Sequence, residues 1–108
     1  MSGGLDPIIH PTHRLMICAM LDVGTPVEMS VVKETVGLSP SAFSKQVGAL
    51  VEAGYVTQER DRRDSRRHWL SLSREGRRAY RGHVEALQRI VAGTAGDVLD
   101  ESRDDSRS

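Results

Sequence analysis

Five arginines lie within eight positions of one another, Arg60, Arg62, Arg63, Arg66 and Arg67, in the stretch "RDRRDSRRHWLSLS" at residues 60–73. Guanidinium groups packed this densely are suited to a polyanion. Each phosphate they neutralise releases condensed counterions, and affinity becomes steeply salt-dependent. The acids among them bear on aim: Asp64, two residues before Arg66, can hold that guanidinium toward a narrow minor groove, where the negative potential is strongest. In a solvated loop the same residues would pair loosely, for about 0–1 kcal/mol. Arg62, Arg63 and Arg67 are then phosphate contacts. A second set, Ser39, Ser41, Ala42, Ser44, Lys45 and Gln46 in "LSPSAFSKQ" (38–46), supplies candidate DNA contacts. From a helix in a major groove, Gln bonds adenine bidentately, Lys reaches guanine O6 and N7, and Ser serves base or phosphate. The alternative is an ordinary solvent-facing polar surface.

Other chemistries lack their residues. The chain has no glycine-rich phosphate loop, nucleophile elbow or metal-ligand cluster, and Glu52, Glu59 and Glu85 are isolated acids, so neither catalysis nor a cofactor is expected. His10 and His13 lie near Cys18, yet no paired-cysteine or carboxylate spacing makes them a metal site. Cys18 falls on an apolar stripe with Leu15 and Leu21 and reads as a buried structural thiol. His68 and His83 read as exposed polar residues, and Trp69 as packing on a strand face.

At 108 residues with 38% apolar and 28% charged residues, the chain has the size and composition of one soluble domain. A core this small often gains from oligomerisation. No apolar run suits a membrane span, and "MSGGLDPIIHPTH" lacks the basic and apolar regions of a signal peptide. The single cysteine fits a reducing cytoplasm. The zero net charge conceals an asymmetry. Residues 55–83 hold nine arginines against four acids, whereas residues 94–108 hold five acids against two arginines. For polyanion binding the local field outweighs the total.

These residues need elements to place them. Residues 1–9, with Gly3, Gly4 and Pro7, read as a flexible leader. Pro11 to Asp22 has helical spacing, and Gly24 and Pro26 break it. Val27 to Met29 could form a very short strand. Ser30 is a candidate cap for a helix over 31–36, with Gly37 in the left-handed position after it. After the turn "GLSP", Ser39 caps a helix over 40–53, Pro40 opens it, Phe43, Val47, Leu50 and Val51 form its stripe, and Gly54 closes it. Two helices across so short a turn have helix-turn-helix spacing. Strands at 55–59 and 68–71 flank the arginines as a hairpin. Ser73 then caps a helix, with Glu75 in its first turn. Its apolar positions Tyr80, Val84, Leu87, Ile90 and Val91 make a seam near period 3.5 that suits dimerisation, and the acidic tail at 93–108 reads as disordered. The expected fold is mainly α with a small β-hairpin wing (α+β), a winged helix-turn-helix whose domain covers 10–92, a dimer through its N- and C-terminal helices with a dimerisation helix over about 74–92.

Residues 10–92 resemble winged-helix transcription regulators of the MarR class, especially their compact single-domain relatives. Leu50, Gly54, Tyr55 and Val56 match the exit from the family's recognition helix. Asp64-x-Arg66 followed by Leu72-Ser73 matches its D-x-R … L-T wing, with Ser in place of Thr, and Gly76 matches the glycine of L-T-x-x-G. "HPTHRLMICAML" (10–21) is similar to the H-P-x-R-L start of the compact relatives, with one residue shifted. The resemblance implies a homodimeric regulator of transcription, a repressor by occlusion, bound to a pseudo-palindromic double-stranded DNA site. MarR proteins carry further helices at both ends that build the dimer and line a ligand pocket. This chain has one helix on each side of the helix-turn-helix, so the resemblance carries over a dimer through 76–91 more readily than an internal pocket. Two other readings remain at this stage: a winged helix whose arginines meet an acidic protein, and a sensor with an effector at the dimer seam. Arg74, Arg77 and Arg78 suit either backbone contacts or a solvated face.

Overall fold

The computed structural model describes residues 4–107, with side chains described for residues 4–94. Seven elements follow in order: α1 (Thr12–Leu21), β1 (Val27–Glu28), α2 (Met29–Val36), α3 (Pro40–Glu52), β2 (Val56–Arg60), β3 (His68–Leu72) and α4 (Arg74–Arg107). The strands form one antiparallel sheet in the order β1-β3-β2. The expected two-stranded hairpin therefore gains a third strand: Val27 pairs with Leu70 and Glu28 with Trp69, anchoring the wing to the start of α2.

One core joins the layers. Ile17, Cys18 and Leu21 of α1 pack with Val32 and Val36 of α2, Phe43, Val47 and Leu50 of α3, and Val56 and Leu70 of the sheet. On α3 the stripe follows from the helical repeat, which brings residues three and four apart onto one face. Burying side chains of this size stabilises by about 1.5–3 kcal/mol each. Burial, chiefly, with Asp6 adding to it, pushes the Cys18 thiol up to about 12, so it stays a neutral core residue.

The ends of α3 are set by local chemistry. The Ser39 hydroxyl accepts from the Ala42 amide at 3.3 Å, with Pro40 in the first turn. At the other end Gly54 takes φ +80°, the Gly54 amide donates to Val51 and the Tyr55 amide reaches back to Leu50 at 3.0 Å. That closure turns the chain into β2 and fixes where the wing begins.

Four expectations are corrected. The stretch read as a flexible leader is docked from Asp6 onward: Asp6 accepts from the Ile8 and Ile9 amides, and Ile9 is fully buried in the core. Paired isoleucines behind a Pro turn outweigh the glycines before them. His83 is fully buried, not exposed, because it lies on the face of α4 that meets this segment. The second helix starts at Met29, with Glu28 in the cap position, and Ser30 bonds the Glu28 side chain instead of capping. The last helix runs to Arg107, past the tail expected to be disordered from Gly93. A glycine inside a helix costs only about 1 kcal/mol relative to alanine, and no proline follows Pro40.

Gly76 carries the tightest approach in the fold's frame. A Cβ there would fall on the backbone of Tyr55, 2.8 Å from its carbonyl carbon. The Ser73 hydroxyl accepts from the Gly76 amide at 2.9 Å and donates to the Gly54 carbonyl at 2.6 Å, so the cap of α4 also ties down the exit of α3. The motif Leu72-Ser73-x-x-Gly76 is thus the joint between α4 and the corner from which the wing departs.

Candidate nucleic-acid interface

On α3, Ser41, Ser44 and Lys45 are exposed on the face opposite Phe43, Val47 and Leu50. The other three candidates on this segment are otherwise engaged. Ser39 spends its hydroxyl on the cap, and Ala42 is half-buried. Gln46 sits on the flank toward α1, where its Oε1 accepts from Arg14 Nε at 2.8 Å. That bond uses one lone pair of the Gln46 carbonyl and orients the side chain toward α1. Sequence reasoning missed Arg14, which lies 32 residues away on another helix.

The wing tip is organised by Asp61. Its Oδ1 accepts from the Arg63 amide at 2.7 Å and the Asp64 amide at 3.2 Å, and its Oδ2 accepts from the Trp69 indole N–H at 3.0 Å. The Asp61 amide donates to the Arg67 carbonyl, closing the loop between β2 and β3. These bonds, the indole first, hold the Asp61 carboxyl below its usual value of 3.8. Trp69 therefore packs on the strand, as the sequence suggests, and also braces the loop. Asp-x-Arg and Asp-x-x-Asp spacing signals such side-chain turns. The indole partner depends on cross-strand register and is not visible locally.

The pairing expected between Asp64 and Arg66 is present. The Arg66 amide donates to Asp64 Oδ1 at 3.0 Å, and Arg66 Nε lies 3.5 Å from the same oxygen. The Arg66 side chain is 91% exposed, so the pair is a weak surface contact that aims the guanidinium and leaves it accessible. Arg67 is tethered differently, with Nε 3.6 Å from Glu28 Oε1 at the start of α2. Arg62 and Arg63 are exposed, with no side-chain partner among the described residues.

The helix and the wing meet in one groove of about 240 Å³. Pro40, Phe43 and Ser44 of α3 line it with Met29, Ser30 and Lys33 of α2, and with Arg66, Arg67 and His68 at the base of the wing. Three cationic side chains, two hydroxyls and the Glu28 carboxylate, which faces Arg67, thus surround an apolar floor between the two elements. Among the described residues no group of three or more His, Cys, Asp or Glu could hold a metal ion. None of the described helices is long and apolar enough to cross a membrane.

Residues 13–91 match the family model described as a winged helix DNA-binding domain. The chain belongs to that family. An uncharacterised HTH-type transcriptional regulator of Bacillus subtilis (strain 168), YwhA, is 35% identical over 58 residues, which are 54% of this chain and 42% of that protein. The match thus spans less than half of YwhA's length. Three solved structures share the winged-helix fold. PcaV of Streptomyces coelicolor, in complex with its natural ligand, aligns with TM-score 0.71 at 22% identity, over 96% of this chain and 79% of that one. MarR aligns with TM-score 0.74 at 14% identity, over 93% and 73%. AbfR bound to DNA aligns with TM-score 0.66 at 19% identity, over 89% and 70%. The winged helix expected from the order of elements and from the MarR-like wing is the observed fold.

The dimer seam divides in two. Tyr80 packs against this chain's own core. Val84, Leu87 and Val91, with Gln88 and Ala92, line a shallow surface depression on α4, and Ile90 is half-exposed.

Proposed function

We infer that this winged helix binds double-stranded DNA in the cytoplasm as a homodimeric transcription regulator, a repressor by occlusion of a pseudo-palindromic operator. The observation that carries this reading is the shared groove. Ser44 on the outer face of α3 and Arg66 on the wing line one cationic cleft, so a helix in the major groove would bring the wing onto the adjoining backbone. Ser41, Ser44 and Lys45 meet base edges. Arg62 and Arg63 neutralise phosphates, and Arg66, held by Asp64, enters the minor groove. Gln46, bonded to Arg14, ties α3 to α1. The unpartnered α4 face with Val84, Leu87 and Val91 supports a second copy as its occupant, and the family and the DNA-bound AbfR structure support duplex DNA as the ligand. No catalytic step is assigned.

Selection of bound sequences from a random duplex pool tests the reading. The expected product is two related half-sites about one helical turn, ~34 Å, apart. Failure to enrich any duplex at low salt would refute it and favour an acidic protein as the partner of the arginines.

A further inference from the structure

Residues 4–10 tie three elements together. The Asp6 amide donates to His83 Nδ1 of α4 at 2.9 Å. The Tyr55 hydroxyl, at the corner between α3 and β2, donates to Asp6 Oδ2 at 2.6 Å. Arg14, whose Nε holds Gln46 of α3, also donates to the Ile8 carbonyl at 3.3 Å. The segment is therefore a strap from the helix proposed for dimerisation to the C-terminal corner of the element proposed to read DNA and, through Arg14, to its middle turn.

The strap hangs on one imidazole. His83 is fully buried and its Nδ1 accepts a hydrogen bond, so the ring is neutral with its proton on Nε2. Nε2 is buried and has no hydrogen-bond partner among the described residues. A second proton can be taken only at Nδ1, where it would point at the Asp6 amide and replace the bond with two opposed donors. The charge would also form beside the His10 ring, whose centroid lies 5.5 Å away. The surrounding groups do not relieve it. From α1, Cys18 is held neutral; at the α3–β2 corner, Tyr55 is a phenol pushed up to about 12 by its bond to Asp6 and by burial, with Glu75 acting on it. On α4 itself, burial raises the Tyr80 phenol. Only the Asp6 carboxylate opposes the penalty, and it is already engaged by Tyr55 and the strap's own amides.

We propose that the strap is a proton-sensitive positioning device for DNA binding: neutral His83 holds Asp6, Asp6 holds Tyr55 and so the α3–β2 corner, and protonation of His83 releases both. The positioning residues are Asp6, Tyr55 and His83. The link to DNA rests on the function proposed above. Burial first, and His10 second, lower the His83 pKa from 6.5, with Asp6 acting the other way. In a released strap the imidazole returns to water and its ordinary value. Release is therefore independent of pH above about 6.5, and rises by up to about tenfold per pH unit below it until the folded value is passed.

The test has two readouts on the full chain between about pH 8 and about pH 5. Amide exchange by NMR, corrected for the intrinsic pH dependence of exchange, reports the Asp6 amide without any DNA. Fluorescence anisotropy with a mixed-sequence duplex at constant ionic strength reports affinity. In the wild type, protection of the Asp6 amide falls below about pH 6.5, whereas His83→Gln, which keeps an acceptor and cannot titrate, shows flat protection. Relative to His83→Gln, wild-type affinity drops at least about threefold between about pH 7 and about pH 5.5, a comparison that cancels every pH effect common to the two proteins. Tyr55→Phe provides a second arm if His83→Gln does not fold: its Asp6 amide still titrates, but its affinity no longer follows that titration. Asp6 protection that is unchanged with pH in the wild type overturns the proposal, as does an identical affinity profile in wild type and His83→Gln. Absence of DNA binding at every pH refutes the DNA-binding reading and the coupling with it, while the exchange experiment still decides the strap.

Discussion

Replacing Gly76 with alanine should damage this fold more than any exposed substitution in the wing. The added methyl would occupy the space of the Tyr55 backbone, 2.8 Å from the carbonyl carbon and 2.9 Å from Cα. Backbone cannot rotate aside as a side chain does, so the first turn of α4 must move away from the α3–β2 corner. Overpacking of this kind costs about 1–3 kcal/mol. Separation also strains the Ser73 amide bond to the Tyr55 carbonyl, 2.9 Å, and the Ser73 hydroxyl bond to Gly54, 2.6 Å. Each neutral hydrogen bond contributes about 0.5–1.5 kcal/mol, so the expected total is about 2–6 kcal/mol. For a domain of this size that lowers the melting temperature by roughly 10–25 °C, at about 4–8 °C per kcal/mol near the lower end of that range. Urea denaturation followed by circular dichroism measures it directly. A variant within about 0.5 kcal/mol of wild type would show that the Gly76–Tyr55 approach is not a constraint, and that reasoning would fail.

Trp69→Phe keeps a ring on the strand but removes the N–H that Asp61 accepts; amide exchange at Arg63 and Asp64 should quicken while the global melting temperature changes little. Ser39→Ala should cost about 0.5–2 kcal/mol in urea denaturation by removing the cap of α3, and an unchanged midpoint would contradict the assignment. Leu87→Asp, on the unpartnered α4 face, should leave the fold intact and shift sedimentation from dimer to monomer; a dimer that persists would place the interface elsewhere. Acid stability carries a sign from two groups. The depressed Asp61 carboxyl contributes stability above about 3.8 that is lost as pH falls through its folded value, and buried neutral His83 contributes stability that declines as pH falls below 6.5. The midpoint of urea denaturation should therefore begin to fall between about pH 6.5 and pH 5, and His83→Gln should delay that fall.

Much of the site was legible because it is local. Ser39 and Pro40 announce the start of α3, Gly54 its end, and Asp64-x-Arg66 a turn that forms within three residues. The winged-helix order followed from those punctuation marks together with the Leu72-Ser73-x-x-Gly76 motif. What escaped depends on partners far apart in sequence. Arg14 claims Gln46 from another helix, Glu28 tethers Arg67, and Trp69 braces Asp61 across the hairpin. The docking of Asp6 and the burial of His83 escaped for the same reason, since a segment with glycines and a proline looks loose until the helix it packs against is in place. The end of α4 escaped for a different one: a glycine lowers helix propensity without stopping a helix.

The central claim is that α3 and the arginine wing together form a DNA-binding face, and the salt dependence of duplex affinity tests it most directly. Wild-type affinity for a mixed-sequence duplex should fall linearly on a logarithmic salt scale, and Arg66→Ala should weaken binding and reduce the slope by about 1, with the fold unchanged by circular dichroism. Arg66→Ala binding as tightly as wild type with the same slope throughout the series would contradict the assignment.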